Sequence, residues 1–376
     1  MLFPVQDGRG GGRPRTHTLG RELCSGRLHI PGSWEGLSEL AFQAMPVRVD
    51  GMEGWELSGP GETRCLVLAE IGSQLGALRL APGGGRQSVD VLYVPPPAQQ
   101  RQATWSTGAP ILFPFPGRIA EGEYRYRGRA FRLPGGTQGA PGRHPLHGFV
   151  GLARWSVDAA GAGAEGAWVR TAIEHESLGV PPEAFPGRYR LTVTHQLRPD
   201  GYVQEIVVDN TGTEPFPFGY GWHPYFLVPL APGGLRADCA LTLRAAARWE
   251  LTAELLPTGR RLAVAGPYDL RNPNPLGEKS YDDPFTMVER DAGGDISATL
   301  TDGHAGLCLT VWADSAFRDW VVYAPRTLGA VSLEPYTCAP DAFNLEARGV
   351  SAGLLELSPG QTWRARLGVR LGPVAA

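Results

Sequence analysis

The sequence predicts an all-β protein built from large antiparallel sheets, and three observations predict it. Glycine and proline are abundant, 51 and 34 of 376 residues, while 42% of the chain is hydrophobic. That pairs high turn content with enough apolar surface for a sizeable core. Short runs of alternating or β-branched apolar residues recur along the chain, and Gly, Asn, Asp and Pro punctuate them.

In chain order the runs are RCLVLAEIG, VDVLYV, AWVRTAIEHE, YRLTVTHQL, YVQEIVVDN, LCLTVWAD, WVVYA, AVSLEP and WRARLGVRL. Each has the length and residue types of a strand. Between them lie RPDGY, NTGTEP, TDGHAG and SPGQT, which supply turn geometry and block continuation. In the segment 190–210, Leu191, Val193, His195 and Leu197 share one face. Tyr202, Gln204, Ile206 and Val208 alternate on the return. This is a hairpin turning at Pro199-Asp200-Gly201. WEGLSELAFQAM is the longest plausible helical stretch, short and isolated. No repeat or linker divides the chain after its first 36 residues, so residues 37–376 are expected to form one β domain. Residues 1–36 include the Gly- and Arg-rich DGRGGGRPRTHTLGRELCSGR and read as a disordered extension.

The net charge of −3, from 35 basic and 38 acidic residues, carries no footprint of a nucleic-acid or membrane-surface binder. Five scattered cysteines without a CxxC pair predict a reduced, cytoplasmic setting with no disulfide framework. No apolar run approaches the roughly 18 residues that span a bilayer. The loop PGGGR lacks the following helix that a phosphate cradle needs.

Four segments place chemically capable side chains beside strand ends. Arg118 follows the bend PFPG. His144 and His147 lie in HPLHGFVG, where Pro145 forbids the regular helix that would align both rings on a metal. His223 sits in GWHPYF, where Pro224 holds it in extended backbone. Glu334 precedes Pro335 at the end of the buried run LGAVSL, so its carboxylate must be paired, hydrogen-bonded or functional. A histidine and a carboxylate facing each other suit general acid-base work. Trp222, Tyr225, Phe226, Phe115 and Phe149 are the aromatic surfaces against which a sugar ring could pack, although most of them are expected in the core. No nucleophile motif is present, and nothing calls for a cofactor or a metal.

Taken together, PFPGRI, GEYRYRGRAFRL, HPLHGFVG, FGYGWHPYF, YDDPF and EPYTCAPDAFN followed by GLLELSPGQTW resemble, in chain order, the aldose 1-epimerase (galactose mutarotase) family. The resemblance runs from about residue 60 to residue 372 and implies a β-supersandwich whose sheets hold a sugar in a groove. It implies Glu334 as general base, His223 as general acid and His147 as the second active-site histidine. It also implies Arg118 and Asp282 as substrate-binding residues, beside which Trp222 is expected to bind substrate through its aromatic surface. Gly117 stands where the family usually carries Asn, and Arg154 lies farther from HGF than the family's arginine. The implied partner is a monosaccharide, taken by a monomer or homodimer. Two rival readings follow: a hexose-6-phosphate 1-epimerase using Arg125, Arg127, Arg129 and Arg132, and a non-catalytic carbohydrate-binding protein of the same fold.

Overall fold

A computed structural model describes residues 41–94, 108–134 and 143–374. The N-terminal extension lies outside these, as does the first part of the candidate helix at 34–45. The described part of that helix is instead strand: Gln43–Val49 pairs with Met52–Gly59. Partnering within a sheet overrides a weak helical pattern there.

Two large antiparallel sheets dominate. One runs in the order Asn274–Pro275, Cys239–Leu243, Ile296–Asp302, Leu307–Ala313, Thr362–Pro373, Gly201–Asn210, Tyr189–Arg198, Gly166–Glu174 and Ser156–Gly163. The other runs Pro257–Ala263, Ala245–Leu251, Asp282–Val288, Asp319–Tyr323, Ala330–Tyr336, Gly221–Trp222 and Ile111–Leu112, with Tyr225–Leu227 also paired to Ala330–Tyr336. A five-stranded sheet spans Gln43 to Asp90. This is an all-β fold of large antiparallel sheets, as the sequence predicts. The hairpin expected from 190–210 forms with Arg198 opposite Gly201, and Leu191, Val193, His195 and Leu197 are all fully buried on its inner face.

The second sheet positions the site, because both of its faces are in use. Phe285, Trp320, Val322 and Leu333 point into the core and are almost wholly buried. Side chains alternate along a strand, so the residues between them emerge on the other face. The cross-strand registers align Pro284, Val321 and Glu334 in one row, and Asp282, Tyr323, Ser332 and Tyr225 in the next. These rows floor a cavity.

Candidate active site

Glu334 lies inside its strand, not at the end: Ala330–Tyr336 continues through Pro335. Proline is tolerated because the neighbour on one side is broken. Gly221 pairs with Tyr336 and Tyr225 with Ser332, but no ladder joins the residues between them. Extending the same register across the break sets His223 opposite Glu334. Pro224 therefore marks the gap in the ladder, and the His223 N–H is satisfied elsewhere, by the Pro110 carbonyl at 3.0 Å.

The cavity has a volume of about 210 Å³. That is below the size usual for drug-like ligands and suits a single small ring. Arg118, His147, His223, Asp282, Glu334 and the tyrosines 225, 323 and 336 contribute its polar lining, with Leu146, Leu251 and Leu255 among the apolar wall. Five of the six sequence-predicted site residues thus meet in one place. Trp222 does not: it is fully buried and stacks on Tyr202 at 5.9 Å on the core side. Alternation sends His223 and Tyr225 one way and Trp222 the other. Of the five aromatic candidates only Tyr225 lines the cavity; Phe115 and Phe149 form an edge-to-face pair in the core.

At the cavity floor, His223 Nε2 lies 3.3 Å from Glu334 Oε1. The second carboxylate oxygen, Oε2, accepts a 2.8 Å hydrogen bond from the Tyr336 hydroxyl. Ser332 Oγ is 2.8 Å from His223 Nδ1. Glu334 is 1% exposed and His223 6%. Burial pushes the Glu334 carboxyl well above its ordinary range; hydrogen bonding from Tyr336 and Ser332 opposes this, and the nearby Asp282 charge reinforces it. Burial likewise pushes His223 down, to about 3. The two effects favour the same arrangement. A close pair holding one proton between carboxyl and imidazole is least costly to bury when the proton rests on the carboxyl and both groups are neutral.

His147 occupies a backbone conformation with φ of 63°. Its Nδ1 accepts the Gly117 N–H at 3.1 Å, and its own N–H donates to the Gly117 carbonyl at 2.8 Å. With Nδ1 accepting, the neutral ring carries its proton on Nε2. Burial, helped by His223 and Arg118, holds this histidine well below its ordinary value. It is therefore suited to act as a neutral N–H donor and not as the cation that charge stabilisation would require. The ring stands edge-on to His223 at 5.4 Å. Gly117 makes this close pairing possible: its φ is 73°, and a Cβ there would come within 2.6 Å of Pro340. The glycine at the position usually held by Asn thus has a steric cause.

Asp282 and Asp283 part company on adjacent positions. Asp283 is buried and pairs with Arg248 at 3.3 Å, whereas Asp282 is exposed to the cavity. Although exposed, the Asp282 carboxyl is raised by the protein mass around it, with Arg118 pulling it back. Arg118 presents a guanidinium that makes no hydrogen bond or ion pair among the described residues. The other candidate arginines lie elsewhere. Arg127 pairs with Glu356, Arg129 with Glu214, and Arg132 lies 3.8 Å from Glu123. Arg154 pairs with Glu53 and Glu70. None of these lines the cavity. His144 turns from His147 toward Glu121 and Glu254, and no group of three or more His, Cys, Asp or Glu residues forms a metal-ligand cluster among the described residues.

Ser332, Tyr323 and Tyr336 went unrecognised in the sequence. Their signal was present in the spacing: Ser332 and Tyr336 stand two residues either side of Glu334, on its face of the strand.

The fold and site together define a β-supersandwich with a paired carboxyl and imidazole at the floor of a small polar cavity. A sequence model described as aldose 1-epimerase matches residues 56–370, and the chain belongs to that family. Among curated proteins it is similar to the uncharacterized protein YihR of Escherichia coli (strain K12), 26% identical over 264 residues, covering 65% of this chain and 74% of YihR. It is also similar to the uncharacterized protein YphB of the same organism, 24% identical over 270 residues, covering 69% and 82%. The fold resembles a galactose mutarotase-like protein from Clostridium acetobutylicum (TM-score 0.78, 20% identity, 89% of this chain and 99% of that one). It also resembles a galactose 1-epimerase from Lactobacillus acidophilus (TM-score 0.68, 16% identity, 89% and 100%).

Proposed function

We propose that this protein is an aldose 1-epimerase that interconverts the α and β anomers of an unphosphorylated aldohexose in the cytoplasm, with Glu334 as base and His223 as acid. One observation carries the reading: Glu334 Oε1, buried and with no partner among the described residues other than the imidazole it faces, lies 3.3 Å from His223 Nε2 at the floor of the cavity. Beyond that contact Oε1 keeps accepting capacity that a sugar hydroxyl would satisfy.

The reaction needs the proton on the imidazole. Burial places it on the carboxyl in the empty site, but the substrate reverses this preference. An anomeric O–H donating to Oε1 and a ring oxygen accepting from Nε2–H each stabilise the carboxylate-imidazolium form. Glu334 then takes the anomeric proton as His223 gives its proton to the ring oxygen. The C1–O5 bond breaks while C1 becomes a carbonyl carbon. Rotation about C1–C2 and reclosure return both protons and invert the anomeric centre. His147 supplies a neutral donor, and Arg118 and Asp282 hold hydroxyls.

Arg118 as the only arginine or lysine lining the cavity among the described residues, with Asp282 as an acidic neighbour, favours a neutral sugar over a hexose phosphate, which would recruit several cations. The test is anomer-resolved proton NMR of freshly dissolved α-D-glucose and α-D-galactose with the wild type and Glu334→Gln. The expected result is faster equilibration that the variant loses by about 10²–10⁴-fold, the usual contribution of a general base. Acceleration confined to hexose 6-phosphates would refute the neutral-sugar assignment. Sugar binding with no acceleration would leave a carbohydrate-binding protein.

A further inference from the structure

Two side chains beside the acid-base pair transfer no proton in this reaction. Ser332, Glu334 and Tyr336 alternate on one face of Ala330–Tyr336, and all three are at most 1% exposed. Tyr336 donates to Oε2 at 2.8 Å, which leaves Oε1 as the oxygen nearest His223. On the other partner, Ser332 Oγ meets Nδ1 at 2.8 Å, while Nε2 faces Glu334 at 3.3 Å and, more distantly, the Tyr225 hydroxyl at 3.4 Å. A pair with one proton has two forms. With the proton on the carboxyl, Oε1–H donates to Nε2 and Nδ1 carries the ring hydrogen. With the proton transferred, both nitrogens carry hydrogen. In either form Nδ1–H donates to Ser332, so this contact need not change as the proton moves.

We propose that Ser332 and Tyr336 are positioning residues that confine the chemistry to one oxygen and one nitrogen: Tyr336 occupies Oε2 so that Oε1 reacts, and Ser332 fixes the His223 tautomer so that Nε2 exchanges the proton. The proposal rests on the aldose 1-epimerase reading for its consequence in turnover. Its geometric content can be read without turnover.

Tyr336→Phe keeps the ring and removes only the donor. Its kcat is expected to fall about 10- to 100-fold, the effect of losing a hydrogen bond to a charged group, with KM within about twofold. A donor to a carboxylate favours the charged form. Its loss should therefore move the alkaline limb of the kcat profile to higher pH. Ser332→Ala should lower kcat about tenfold and Ser332→Thr should restore it, since the hydroxyl is what matters. Nitrogen-15 spectra of wild type should show His223 with Nδ1 protonated and Nε2 accepting, and Ser332→Ala should mix the tautomers. Wild-type kcat and an unmoved pH profile in Tyr336→Phe would overturn the role of Tyr336. Lower thermal stability without a moved limb would do the same. A resting His223 protonated on Nε2 alone would overturn the role of Ser332. If the wild type accelerates no aldose, the functional reading falls, whereas activity with unaffected variants sinks only this inference.

Discussion

Acidification from pH 7 to pH 5 should leave the catalysed rate of anomer exchange nearly unchanged. The productive pair holds one proton, and a second proton on His223 while the carboxyl keeps its own removes the base. An imidazole at its ordinary value near 6.5 would be about 97% protonated at pH 5, and kcat/KM would drop about 25-fold from its pH 7 value. Burial lowers His223 to about 3, and this places the acid limb below the tested range. The sign follows from the cause: desolvation penalises the imidazolium, so more acid is needed to form it. On that value about 1% of the enzyme carries the extra proton at pH 5, which leaves a change too small to resolve. The assay is polarimetry or NMR exchange at several pH values, with the spontaneous rate subtracted and the fold checked by circular dichroism. An acid limb centred near 6.5 would refute the argument, because His223 would then titrate like a solvated side chain.

Two further substitutions test the site's construction. Gly117→Asn, which introduces the residue more usual in the family, should destabilise the protein by at least about 1 kcal/mol in urea denaturation, because a side chain must adopt positive φ against Pro340. It should also slow catalysis, since the Gly117 backbone holds both Nδ1 and the N–H of His147. Trp222→Phe should cost about 1–3 kcal/mol of stability through lost core packing and leave KM within about twofold. A large rise in KM in that variant would return Trp222 to the sugar site.

The β-rich character of the chain and strands such as AVSLEP and YRLTVTHQL were legible because turn residues punctuate them and no helical period competes, whereas Cys239–Leu243, Ala245–Leu251, Pro257–Ala263, Asp282–Val288 and Ile296–Asp302 were not among the expected runs. That His223, Glu334, His147, Arg118 and Asp282 are chemically capable side chains was legible through motifs, each a short polar interruption in an apolar context, and the fold gathers all five at one cavity. Trp222 neighbours His223 in sequence but not in the cavity, where it is fully buried against Tyr202 instead. In extended chain Trp222 and His223 face opposite ways, so one of them belongs to the core. The protonation preferences were not legible at all. They depend on how deeply the pair is buried and on which hydroxyls reach it, and those hydroxyls come from positions that a motif search passes over.

That omission has a physical origin that ties fold to chemistry. A sheet with one face in the core and the other at a cavity converts the two-residue period of its strands into a functional pattern. Along Ser332, Leu333, Glu334, Pro335 and Tyr336, the side chains of Ser332, Glu334 and Tyr336 share the cavity-side face, where the proposed chemistry would take place, while Leu333 packs the interior. Pro335 falls where the neighbouring strand is interrupted, and the register across that interruption brings His223 to Glu334. A continuous ladder would pair backbone with backbone at this point. The break at His223-Pro224 gives up ladder hydrogen bonds and, by doing so, lets a carboxyl and an imidazole face each other beside open space, with Ser332 and Tyr336 flanking the carboxyl from the same rigid strand. The proline after the histidine thus helps to site the chemistry by interrupting the sheet.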